Sequence, residues 1–142
     1  MDPKEFIPQR EPFLFIDEIS DLSESSIVCR KSFPESLDFF KGHFPNNPIV
    51  PGVILNEACF QSAAALIGAN QKDNTKTQLA VVSRIQNAKF KNMVKPNDTI
   101  TIETKLEELL LPAAIFKSSI KNQDNLKIAT IGFTCTLVEN KD

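Results

Sequence analysis

The sequence predicts an α+β fold in which one long, buried central helix is wrapped by a curved antiparallel sheet. Three observations predict it. Between Gly52 and Ala69 the chain is apolar on almost every side, as in a helix without a solvent face. Strand-like segments precede that stretch and follow it to the end of the chain, and a sheet whose inner face covers one helix satisfies this order. The chain has 142 residues, 42% of them hydrophobic and 24% charged. That is one domain's worth of chain with enough material for a core, so residues 1–142 read as a single domain.

Taken in order, residues 13–19 (FLFIDEI) read as a strand, and residues 25–33 alternate well enough to be its hairpin partner. Residues 34–51 are irregular and rich in proline. Pro51-Gly52 suits a helix entry, and Gly68 with Asn70 suits an exit, which predicts a helix over 52–69. Residues 70–77 form a polar loop. Strands are then expected over 79–85, 87–94, 99–111, 113–121 and 126–138. The 99–106 stretch alternates cleanly, with Ile100 and Ile102 on one face. Gln123-Asp124-Asn125 supplies a turn between the last two strands. One helix cannot cover a sheet of this size, and pairing of two chains through an edge strand is the expected remedy.

Composition excludes several classes. A formal charge of −2 leaves no nucleic-acid footprint, and no basic run interleaves with aromatics. No window reaches the roughly 20 apolar residues of a membrane span. The first residues, Met1 to Glu5, carry no apolar signal core, so a cytoplasmic location is expected. Cys29, Cys59 and Cys135 are odd in number and lie in apolar or strand-like segments, as buried reduced thiols do. With one histidine and no CxxC pair, no transition-metal site is expected. The aromatic residues are all phenylalanine, so an aromatic lining would carry no hydroxyl or indole donor.

The chemistry-bearing stretch runs from Gly42 to Gln61. His43, the one histidine, stands in a loop stiffened by Pro45, Pro48 and Pro51, and histidine is the side-chain type that exchanges protons near neutral pH. A helix starting at Gly52 or Val53 points unpaired N–H groups and its positive dipole end back at that loop. Such an end suits a polarised carbonyl oxygen, for example that of a thioester turning enolate-like. Glu57 follows one turn into the helix, with Gln61 on the same face four residues later. A carboxyl in an apolar helix must be paired, protonated or facing a cavity. Burial raises its pKa, as a general acid requires. Base, acid and oxyanion donors together fit dehydration, or its reverse, at the carbons α and β to a carbonyl. Gln61 is, with Gly52 and Val53, a candidate substrate-binding residue and could equally serve as a hydrogen-bonding neighbour, and Asn56 fits best at a subunit contact.

The motif Gly42-His43-Phe44-Pro45-x-x-Pro48-x-x-Pro51-Gly52-Val53, followed by Glu57-Ala58-x-x-Gln61, resembles the signature of the 3-hydroxyacyl-[acyl-carrier-protein] dehydratases of the FabZ type. Further segments agree: Gln9-Arg10-x-Pro12-Phe13-Leu14-Phe15-Ile16-Asp17, then Ile85-x-x-Ala88-Lys89-Phe90-Lys91, then Val94-x-Pro96-x-Asp98. Glu57, where the isomerase-dehydratases of the FabA type carry aspartate, favours the FabZ branch. The resemblance implies the hotdog fold and dehydration of a (3R)-3-hydroxyacyl thioester to the trans-2-enoyl product in fatty-acid or related lipid biosynthesis. It implies His43 as base on the α carbon, Glu57 as acid on the β-hydroxyl, and backbone N–H groups of Gly52 and its neighbour Val53 on the thioester oxygen. The substrate would arrive on the phosphopantetheine arm of an acyl carrier protein, with no cofactor of the enzyme's own. A homodimer would share each site between subunits, and dimers could group in threes. Arg84, Lys89, Lys91 and Lys95 are the candidate contacts for the acidic carrier.

The chain departs from the family pattern in four places: Gln9 replaces a histidine, Arg84 a glycine and Asn56 an apolar residue, and no tyrosine stands near Ala80 and Val81 to gate an acyl tunnel. Two other readings stay open. One is a hotdog acyl thioesterase with Glu57 activating water. The other is a hotdog paralogue that binds acyl chains without catalysis.

Overall fold

The computed structural model describes residues 1–71 and 78–139. The expected polar loop over 70–77 therefore lies, from Lys72 onward, outside the described residues. The helix α1 spans Gly52–Ala69, as the sequence predicts. Pro51 caps it with its fixed φ and no side-chain bond, while Asn70 closes the other end by donating Nδ2–H to the Leu66 carbonyl at 3.0 Å.

Six strands follow the chain as β1 (Glu18–Leu22), β2 (Ser26–Ser32), β3 (Gln78–Phe90), β4 (Thr99–Leu110), β5 (Ala113–Asn122) and β6 (Lys127–Glu139). They form one antiparallel sheet in the order β1-β2-β4-β5-β6-β3. Its inner face presents Ile27, Cys29, Ile100, Ile102, Phe116, Ile120, Phe133 and Cys135, all buried, and packs over Leu55, Ala58, Cys59, Ala63 and Leu66 of α1. Burying a side chain such as Phe116 or Phe133 stabilises by about 1.5–3 kcal/mol. The polar groups caught in this core are satisfied: Thr104 Oγ1 bonds Ser118 Oγ at 2.6 Å, and Ser62 Oγ donates to the Ala58 carbonyl at 3.0 Å. The three cysteines are free and buried, which pushes the Cys29 thiol up to about 11 and those of Cys59 and Cys135 up to about 12.

Two strand expectations need correction. Residues 13–17 are not strand; β1 starts only at Glu18. The backbone of Phe13 and Phe15 is instead hydrogen-bonded to the side chain of Gln61, which takes the place of a neighbouring strand. Residues 79–85 and 87–94 are not two strands. One strand, β3, runs through Gln78–Phe90, and its pairing with β6 shifts between Val82 and Arg84 and again between Gln86 and Lys89. Asn87, at φ 52°, absorbs the second bulge, a conformation that asparagine tolerates better than most residues. The bulges look like a turn in the sequence because they break its alternation.

A third expectation is modified. By length and composition α1, at mean hydropathy 1.3, would reach across a membrane, yet half of that window is buried inside the fold. Its burial is also one-sided. Val53 is 73% exposed, and Ile54, Phe60, Ala64 and Ile67 are half-buried along one stripe. Next to that stripe β3 forms a sheet edge on which Val81, Ile85 and Phe90 are exposed.

Candidate active site

His43 is held by its own loop. Its Nδ1 lies 3.1 Å from the Ile49 carbonyl oxygen, while Ile49 N–H donates to the His43 carbonyl at 2.8 Å. A carbonyl can only accept, so Nδ1 carries a proton, and in the neutral ring the lone pair is then on Nε2, the tautomer a base requires. The Phe44 ring stacks on the imidazole with centroids 4.3 Å apart. His43 N–H is bonded to Phe39 O, at the short 3-10 turn Asp38–Lys41. The imidazole is half-buried and Phe44 exposed.

Glu57 is held from a distance. Its Oε2 accepts a bond from Gln61 Nε2 at 3.1 Å, one helical turn on. Gln61 is fully buried, and its amide is saturated: Nε2 also donates to Phe13 O at 2.9 Å, and Oε1 accepts from Phe15 N–H at 2.7 Å. Gln61 therefore orients the carboxyl and pins α1 to the N-terminal segment. Both of its N–H groups are given to protein acceptors, so it has no donor free for the substrate contact expected of it. Desolvation raises the Glu57 pKa, and the Gln61 bond lowers it by less. The half-buried carboxyl thus favours its proton. Cys135 on β6 is close enough for the Glu57 charge to raise its thiol further.

The start of α1 is as the sequence requires. No side chain caps the first turn, so the N–H groups of Gly52 and Val53 are unclaimed by side chains. The Phe90 ring lies against Gly52, 3.3 Å from where a Cβ would stand. This contact, like the Ile49 carbonyl and the Phe44 stack, has no signature in the sequence beyond the family segments that contain these residues. Among the described residues, no hydrogen bond or ion pair joins His43 to Glu57 within one chain.

Arg84 and Lys89 lie on β3, Lys91 just after it, and Lys95 in the turn before β4; all four are exposed. Lys91 N–H donates to Ile128 O, and Lys95 N–H to Asp98 Oδ2 at 2.8 Å, so these backbone positions are fixed although the side chains are free to reach. Gln9, at the family's histidine position, has its Oε1 buried without a partner among the described residues. A cavity of about 470 Å³ lies at the other end of α1, between Leu66, Ile67, Leu106, Leu109 and Leu137. It is roughly 14 Å along the helix from Glu57.

The family model described as "ApeI-like: ApeI dehydratase" matches residues 19–130, more than three quarters of the chain. The chain is a member of the ApeI-like dehydratase family. It is 36% identical over 130 residues to the 3-hydroxyacyl-[acyl-carrier-protein] dehydratase FabZ of Ruminiclostridium cellulolyticum, covering 91% of this chain and 89% of that one. It is 39% identical over 105 residues to the FabZ of Lactobacillus helveticus, covering 73% and 70%. Among solved structures, a chain of the dehydratase heterocomplex ApeI:P from Xenorhabdus doucetiae superposes with a TM-score of 0.82 over 99% of this chain and 93% of that one, at 14% identity. The dehydratase has the hotdog fold, and the FabZ-type relationship expected from its motif stands. As a dehydratase it is a hydro-lyase, and its reaction is the removal of water from a 3-hydroxyacyl group.

Proposed function

We propose that this dehydratase acts on a (3R)-3-hydroxyacyl thioester borne by the phosphopantetheine of an acyl carrier protein, in fatty-acid or related lipid synthesis in the cytoplasm. His43 Nε2 takes the proton from the α carbon. The electron pair moves into the α–β bond as the β C–O bond breaks. Glu57, in its acid form, gives its proton to the departing hydroxyl, which leaves as water. The N–H groups of Gly52 and Val53 hold the thioester oxygen while negative charge builds on it. Return of the proton from His43 to Glu57 resets the site. No metal or bound cofactor has a step in this scheme.

The observation that carries the assignment is the pair of complementary proton states. The Ile49 carbonyl accepts the bond from Nδ1–H and leaves Nε2 as the site for a proton in the neutral ring, and burial raises the pKa of the Glu57 carboxyl toward its acid form. Each site takes His43 from one protomer and Glu57 from its partner, as the resemblance to the FabZ-type dehydratases implies. Support for that pairing comes from the exposed apolar edge at Val81, Ile85 and Phe90 and from the exposed Val53 with the half-buried Phe60, Ala64 and Ile67 beside it.

The test is hydration of a trans-2-enoyl thioester, on carrier protein and on a small thiol, followed by mass. Gain of water by the wild type, lost in folded His43→Ala and Glu57→Gln, is the expected result. Release of free thiol instead would show thioester cleavage and overturn the assignment.

A further inference from the structure

The outer face of the sheet, opposite α1, carries a charge distribution that the reaction does not use. Lys117 and Lys121 alternate on β5 with the buried Phe116, Ser118 and Ile120, so both point outward. Lys105 on β4 stands directly opposite Lys117, and Lys127 on β6 directly opposite Lys121. Like charges placed opposite each other across a ladder destabilise a sheet. Lys105 has Glu103 at 3.3 Å for relief. On β3, Arg84 pairs with Thr134 and Lys89 with Thr130, at outward positions of β6, which extends the same face to the edge. Together β5, β6 and β3 carry Lys117, Lys121, Lys127, Arg84 and Lys89 against the carboxylate Glu139 at a far corner, while β4 beside them adds Lys105 with Glu103, Glu107 and Glu108. The chain as a whole is at −2, so the stretch of β5, β6 and β3 is positive against a slightly acidic molecule.

This face is also shaped. Gly132, without a side chain, pairs with Lys117 on one side and Gln86 on the other. It forms the floor of a hollow of about 600 Å³ bordered by Lys89, Lys117, Gln86 and Thr130, with Glu107 at its rim. Lys89 precedes Phe90, whose ring lies on Gly52 at the start of α1.

Resting on the carrier-borne substrate proposed above, we infer that the outer face of β4, β5, β6 and β3, centred on the Gly132 hollow, is where the acidic surface of the acyl carrier protein docks. Carboxylates of the carrier would relieve the opposed lysine pairs Lys105–Lys117 and Lys121–Lys127, and one could enter the hollow between Lys89 and Lys117. The docking set thereby shifts from the loop lysines Lys91 and Lys95 to Lys117 and Lys121, two strands further into the sheet.

The experiment compares one trans-2-enoyl chain on holo acyl carrier protein and on N-acetylcysteamine, a neutral small thioester, for the wild type and the Lys117→Glu/Lys121→Glu double variant. The expected result is a fall of tenfold or more in kcat/KM on the carrier, through KM, with turnover of the neutral thioester and the melting temperature held. In the wild type, carrier turnover should weaken with added salt, and in the variant this dependence should flatten. Unchanged carrier turnover in the double variant overturns the docking face, as does an equal fall on both substrates. A wild type that hydrates only the neutral thioester overturns the docking face and leaves the dehydratase chemistry standing. A wild type inert on both overturns the substrate reading first and the docking face with it.

Discussion

The loop carrying His43 and the helix turn carrying Glu57 both present one proton-exchanging group, but they are held in different ways. His43 draws its contacts from within six residues: the Ile49 carbonyl, the Phe44 ring and the Phe39 carbonyl. Glu57 depends on Gln61, and Gln61 depends on Phe13 and Phe15, 46 to 48 residues away. A group held locally keeps its place as long as its loop does. A group held by a saturated, fully buried amide is placed by the whole fold, so damage to it should appear in stability and turnover together. The difference separates what each half of the site risks on mutation.

The largest expected effects remove the reacting groups and leave both supports intact. His43→Ala and Glu57→Gln should each lower turnover by about 10²- to 10⁴-fold. In the second, the new amide oxygen still accepts the Gln61 bond but the acid proton is gone. Mixing and co-refolding the two inactive variants should restore about a quarter of wild-type turnover, because half the dimers then contain one intact site. No recovery in a verified mixed dimer would place both groups of a site in one chain.

Next in size is Gln61→Ala. It leaves Phe13 O and Phe15 N–H buried without partners and frees the Glu57 carboxyl, so chemical denaturation should show a loss of about 2–4 kcal/mol. Turnover should fall with it. His43→Ala should instead cost about 1 kcal/mol, since it gives up the part-buried hydrogen bond to the Ile49 carbonyl and one ring stack beside an exposed Phe44. Equal stability losses in the two variants would erase the contrast between a local and a tertiary support.

The smallest effect is the stability profile with pH. The folded Glu57 carboxyl holds its proton more tightly than the unfolded one. Below the unfolded pKa both forms are protonated and stability is full. As pH rises from there through the raised folded pKa, the folded state must ionise a half-buried carboxyl, and this share of stability is lost. Glu57→Gln should flatten that part of a melting-temperature profile and melt slightly above the wild type at neutral pH. A profile unaltered by the substitution would mean that Glu57 is ionised at no cost, and the acid role would then lack support.

Much of this was legible in advance where the signal was local. The bounds of α1 follow from Pro51-Gly52 and the Gly68/Asn70 exit, and the motif from Gly42 to Gln61 carried both reacting groups and the family. The burial of Cys29, Cys59 and Cys135 follows from their apolar neighbours. Residues 13–16, by contrast, have a strand's composition and no ladder of their own, because the partner of the Phe13 and Phe15 backbone is a side chain on α1. The 87–94 stretch looked like a strand of its own because bulges interrupt alternation without ending the ladder.

Sequence by itself determined the helix, the fold class and the family, and it singled out His43 and Glu57 as the proposed base and acid, since each is written in residues a few positions apart. Tertiary structure alone decided that Gln61 is a support rather than a ligand group and that Lys117 faces Lys105 while Lys121 faces Lys127. Those facts depend on strand register and on which backbone lies beside a given side chain. Register is set by the packing of the whole inner face against α1, and no short stretch of sequence contains it.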